Sequence, residues 1–175
     1  SLTDSAPPPQ PRSPAAPTPA SKEDLLAGAT TLFNQQSYDA FEPAALTALQ
    51  AGAELAFLLG HHHTLSGLHA AALKITATSI SYDDLGNQKV CNQKPITVPR
   101  EALVSVQQMR SPRGEIYLNL QIRDEKNKTR TFNFVDADAR VESTIGLPIV
   151  SSPPKAQRAL QAIANVITQS SGTVK

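Results

Sequence analysis

The sequence predicts an α+β chain, mainly β: short antiparallel strands forming a barrel or sandwich closed by a C-terminal helix, with a helical segment ahead of the strands. Three observations carry this. Ile116, Leu118, Leu120 and Ile122 alternate with Glu115, Tyr117, Asn119, Gln121 and Arg123 in strict period two. Ala156, Leu160, Ile163, Ala164 and Ile167 recur at helical spacing near the C-terminus. Ser21, followed by Glu23 and Asp24, reads as an N-cap before the stripe Leu25, Leu26, Ala29, Leu32 and Phe33.

Residues 1–20 come first and are a tether. Half of the 14 prolines fall here, spaced by Ser, Ala, Thr and Gln, with too little apolar surface to fold. Pro8 and Pro11 form a PxxP, a spacing any proline-rich run contains. The Ala/Pro-rich run behind Ser1 resembles the tethers of exported bacterial proteins. Export with a signal peptide removed is therefore one expectation and a cytoplasmic location the other.

Residues 21–52 are helical. One helix starts at Ser21 and stops between Asn34 and Tyr38; a second covers 43–52, with Pro43 in its first turn and Gly52 at its end. Residues 53–59 fit either a strand or a helix. Leu73–Thr76 and Ile80–Tyr82 alternate in shifted phase, which places a bulge or tight turn at 77–79. Asp83 to Asn87 reads as a turn. Val90, Ile96, Val98 and 103–109 are strand-like, broken by Pro95 and Pro99.

Ser111-Pro112-Arg113-Gly114 suits a type I turn into the hairpin of residues 115–135. Its tip is Asp124 to Lys128, and Phe132 and Phe134 continue the apolar face. Residues 136–154 read as irregular. A helix over about 154–169 completes the β domain, 53–170, and 171–175 form a tail.

The strand pairs around Leu73–Thr76, Ile80–Tyr82, Ile96–Pro99 and Leu103–Val106, the hairpin and the closing helix run in an order that resembles the pleckstrin-homology-like or GRAM-like superfold. The resemblance covers about residues 53–169. The chain has no Trp in its closing helix and no basic cradle in its first hairpin. The resemblance thus implies a fold, not lipid-headgroup binding.

Composition narrows function. A net charge of +1 excludes a nucleic-acid binder built on a strongly basic field. No apolar run is rich enough for a transmembrane segment. The 8 glycines are too scattered for a dinucleotide or Walker loop, and neither a Gly-x-Ser-x-Gly elbow nor a His-Glu-x-x-His motif occurs. The 1 cysteine, Cys91, excludes an internal disulfide framework and reads as a structural thiol; a hydrolase through Cys91 or a serine near His69 is the remote alternative.

Two constellations remain. All 4 histidines lie between residues 61 and 69. In a strand, His61 and His63 share a face and, with His69, could hold Zn²⁺ through imidazole nitrogens. On the hairpin, Tyr117, Asn119 and Gln121 offer a polar-aromatic face for a protein or peptide partner. The leading expectation is a non-catalytic binding module on a tether, acting at that face or at an open strand edge. A metal-binding protein using the histidine cluster is the alternative.

Overall fold

The computed structural model describes residues 20–63, 67–85, 93–112, 114–136, 140–144, 147–151 and 154–170. The tether, the tail, Cys91 and Arg113 lie outside them, as do the expectations placed on residues 86–92. Side chains of 63, 67, 140–151 and 154–156 are likewise outside.

Two helices come first. α1, Lys22–Asn34, is capped as its sequence predicts: Ser21 accepts from the Asp24 N–H at 3.2 Å. It ends in a Schellman turn, with Gln36 N–H on the Phe33 carbonyl and Ser37 N–H on that of Leu32. The left-handed residue of that turn is Gln36, at φ 62°. α2, Tyr38–Gln50, begins well ahead of the expected start, so Pro43 sits inside it and not in its first turn. The end matches expectation: Gly52, at φ 94°, closes a second Schellman turn.

The strands are β1 (Leu55–His63), β2 (Gly67–Ile75), β3 (Ser79–Asp84), β4 (Ile96–Pro99), β5 (Leu103–Arg110), β6 (Ile116–Arg123) and β7 (Thr129–Asp136). They form one antiparallel seven-stranded sheet in the order β4-β3-β2-β1-β7-β6-β5. The undecided stretch before His61 is thus a strand. Asp83 and Asp84, expected in a turn, lie in β3 opposite Ala72 and Ala71. Residues 136–154 are not irregular throughout: β8 (Arg140–Thr144) and β9 (Leu147–Ser151) pair as a separate two-stranded sheet. α3 spans Pro154–Ser170.

The turns follow their side chains. Thr76 Oγ1 accepts from the N–H groups of Thr78 and Ser79, closing the β2–β3 hairpin as a tight turn without a bulge. Gly114 N–H meets the Ser111 carbonyl at 2.9 Å, which closes a β-turn at the expected place. At the β6–β7 tip, Asp124 Oδ1 accepts from Lys126 and Lys128 N–H, and Asn127 takes φ 61°.

The sheet is not hydrogen-bonded into a ring, yet it is curled. Its two edges, β4 and β5, are consecutive in the chain, joined by one 3-10 turn of three residues, Arg100–Ala102. That connection spans at most about 14 Å, so the edges approach each other there. Arg130 on β7 ties that strand to the segment ahead of β4. Its guanidinium donates to Gln93 Oε1 and to the Lys94 carbonyl, just ahead of β4.

The inner face of this curl is the core. Leu55, Phe57, Leu73, Ile75, Ile80, Leu118, Leu120, Ile122, Phe132 and Phe134 are buried there. α3 covers β5, β6 and β7 with Leu160, Ile163 and Ile167. Its buried surface is wider than the expected stripe, because α2 packs on it as well and shuts in Ala159, Ala162 and Val166. Phe33, Phe41 and Phe57 meet edge to face with centroids 4.9–6.2 Å apart, tying α1 and α2 to β1. Arg100 is buried and donates from Nη2 to Ser170 at the end of α3. It brings a cation to a helix C-terminus whose last turn has no basic residue of its own.

Candidate functional site

One part of the inner face is not apolar. Strand register sets rows across β1, β2 and β3. Phe57 lies opposite Leu73 and Tyr82, Leu59 opposite Ala71 and Asp84, and His61 opposite His69. The first row is filled by large side chains. In the second, β2 contributes only Ala71, which is fully buried. The small methyl leaves space between strands, and polar groups occupy it.

Those groups form a chain. Asp84 Oδ1 lies 3.0 Å from His69 Nδ1. His69 Nε2 lies 3.0 Å from His61 Nδ1. Tyr82 Oη lies 3.0 Å from the same His61 Nδ1. His61 is 3% exposed, Tyr82 2% and Asp84 7%. Phe132 and Phe134 wall the cluster, their ring centroids 5.9 and 5.8 Å from that of His61.

The partners assign the protons. His69 Nδ1 faces the Asp84 carboxylate and, at 3.4 Å, the Ala70 carbonyl. Both are acceptors, so this nitrogen carries the N–H. With neutral rings, His69 Nε2 then presents a lone pair, and His61 donates to it from Nδ1. The Tyr82 oxygen lies within reach of that same N–H.

The structure brings together two of the three histidines expected to act as one, His61 and His69. His63 lies opposite Gly67 in register, and its side chain is outside the described residues. Among the described residues, no three His, Cys, Asp or Glu side chains form a group that could hold a metal ion. The members that sequence reasoning missed are Tyr82 and Asp84. The alternation Ile80, Tyr82, Asp84 on β3 was the available signal, since it carries all three onto one face.

The hairpin face differs from expectation. Asn119 is 7% exposed, not open to solvent, and donates from Nδ2 to Asn133 Oδ1 at 2.8 Å. Tyr117 and Gln121 on either side of it are half-buried. The amides of Asn119 and Asn133 thus join β6 to β7.

The sheet edges are a third feature. β4 is four residues long and bracketed by Pro95 and Pro99. β5 is eight residues long, has no proline, and among the described residues pairs only with β6. Val104 and Met109 on it are exposed, and a bulge at Val104 offsets its register. Gln108 donates to the Gln157 carbonyl at 2.6 Å, so α3 flanks this edge.

The sequence matches no protein-family model and no curated protein. Among the described residues, no helix is long and apolar enough to cross a membrane.

Proposed function

We propose that this chain is a non-catalytic interaction module of pleckstrin-homology-like architecture that takes an extended peptide segment along β5. The carrying observation is the asymmetry of the sheet edges. β4 is short and flanked by prolines, which lack the N–H a ladder needs. β5 is twice as long and carries one charged residue, Arg110, at its end. Exposed edges are ordinarily blunted by charge, proline or brevity. β5 has the bulge at Val104 and α3 alongside Gln108, with neither proline nor charge along its middle.

An added strand would pair with the outer backbone groups of β5. Its alternate side chains would lie against Val104 and Met109 on one face and toward α3 on the other. The architecture supports the same reading. A seven-stranded antiparallel sheet is followed, after β8 and β9, by a closing helix, in keeping with the order of elements on which the resemblance rests.

The test is selection from a library of random peptides displayed on phage, using the full chain as bait. Selected peptides are expected to shift backbone amide resonances of residues 103–110 and of α3. Methylating alternate peptide nitrogens should abolish binding while leaving every peptide side chain in place. Resonance shifts confined to the helical hairpin, or affinity that survives methylation, would overturn the reading.

A further inference from the structure

We propose that His61, His69 and Tyr82 form a binding site for one divalent transition-metal ion of the zinc class, with Asp84 holding His69 in place behind them. The site is independent of the β5 edge.

Convergence is the first ground. Potential donor atoms from two further strands meet at His61 Nδ1 on β1: His69 Nε2 and Tyr82 Oη each lie 3.0 Å from it. Two nitrogens bound to a tetrahedral Zn²⁺ stand about 3.3 Å apart, given Zn–N bonds of about 2.0–2.1 Å. The rings therefore need to part by only a few tenths of an ångström. They meet edge to face, at 83° with centroids 4.8 Å apart, so this parting needs no change of strand register.

The second ground is the carboxylate. A metal-binding histidine typically gives its other ring N–H to a carboxylate or a carbonyl, which fixes the tautomer and raises the ring's basicity. His69 does so twice, to Asp84 Oδ1 at 3.0 Å and to the Ala70 carbonyl at 3.4 Å. Its Nε2 is thereby set as a lone-pair donor before any ion arrives.

The third ground is place. The Asp84 side chain is fully shut from solvent, whereas that of His69 is 13% exposed. The cluster is thus nearest to water at a ligand, and the carboxylate behind it is sealed. Imidazole nitrogens with one phenol oxygen suit zinc or copper over calcium or magnesium.

Protons balance as follows. The His61 proton moves from Nδ1 to Nε2, which frees Nδ1 without changing the charge of the ring. Tyr82 releases its phenolic proton to solvent and binds as phenolate. One ion enters and one proton leaves.

The test is calorimetric titration of the full chain with Zn²⁺ at neutral pH, repeated in buffers of different ionisation enthalpy. One ion per chain is expected, with Kd below about 1 µM, release of one proton and a tyrosinate difference band in the near ultraviolet. Tyr82→Phe should keep an ion bound but lose both the proton release and the band. Asp84→Asn should weaken binding about 10–100-fold. His62→Ala, on the opposite face of β1, should change nothing. His69→Gln, checked for native circular dichroism, should abolish stoichiometric binding.

Substoichiometric uptake, or binding that survives His69→Gln and fails in His62→Ala, would overturn the proposal. It would leave the cluster as a hydrogen-bonded polar core.

Discussion

The phenol of Tyr82 reaches across β2 to His61, Oη to Nδ1 at 3.0 Å, passing the row where β2 offers only Ala71. Both residues are nearly inaccessible, so the contact is made where water cannot replace it. Tyr82→Phe removes the hydroxyl and keeps the ring against Phe132, whose centroid is 4.5 Å away. The expected loss is about 1 kcal/mol. Tyr82→Ala also empties the ring site and should cost about 3–5 kcal/mol. Urea unfolding of the metal-free chain measures both, and an unchanged stability in Tyr82→Phe would show that the hydroxyl contributes nothing.

Gly60 on β1 lies opposite Val135 on β7. A Cβ there would stand 2.9 Å from Val135 Cγ2 and 3.3 Å from Leu68 Cδ2. Val135 is itself buried and branched, so it cannot swing aside. Gly60→Ala is expected to destabilise by about 1–3 kcal/mol. In a double-mutant cycle, Val135→Ala should recover part of that loss. Strictly additive losses would place the clash elsewhere.

Gln36 holds φ 62° at the end of α1 without glycine's freedom. Its side chain is exposed and leaves little to lose. Gln36→Gly is expected to stabilise by about 0.5–1 kcal/mol, the left-handed penalty less the entropy glycine adds to the unfolded chain. A rise in Tm is the readout.

Arg158 on α3 joins α2 through Glu42 at 3.2 Å and through Asp39. The two contacts are unequal. Glu42 also accepts from Asn165 at 2.9 Å and its side chain is 17% exposed, whereas that of Asp39 is 98% exposed. Asp39→Ala should leave stability unchanged, since exposed pairs contribute little. Glu42→Ala should cost about 1 kcal/mol, mostly insensitive to added salt. Denaturation at low and high ionic strength separates the two.

Tyr38 titrates above its ordinary 10.0. Burial is the main cause and the charge of Asp136 the next, while Arg158 pulls the other way. A raised value in the folded state means that its contribution to stability is complete below pH 10. That contribution is lost as pH rises through the higher folded value. Stability should therefore fall above pH 10, and the fall should be smaller in Tyr38→Phe. In Asp136→Asn, absorbance titration should show Tyr38 ionising at lower pH.

Much of this fold is legible from residues whose local and tertiary preferences agree. Ser21 caps α1 because its oxygen meets an orphan N–H nearby in the chain. Ile116 to Ile122 alternate because one face of β6 is core. Where the two levels disagree, the sequence misleads. Pro43 marks a helix start by local rules, yet the core wants Phe41 and pulls the start back to Tyr38. Asp83 and Asp84 look like turn residues, but Asp84 is held in β3 by a histidine from the neighbouring strand. Asn119 looks solvent-facing until Asn133 is set beside it by the hairpin register. For the site, the histidines announce themselves by composition. Tyr82 joins them through the pairing of β3 with β2; its alternation with Ile80 and Asp84 gives its face but not its neighbours.

The position of β1 in the sheet has a bearing on how the protein is made. β1 finds β2 as soon as their hairpin leaves the ribosome, but its other side waits for β7, the last strand of the large sheet. Until then a nascent chain holds β1 with that side unpaired, and the aromatic wall of Phe132 and Phe134 has yet to be synthesised. An N-terminal fragment ending before β7 would be a sticky half-sheet prone to association with its own kind. The part of the chain most exposed to that hazard is the strand that later shelters His61.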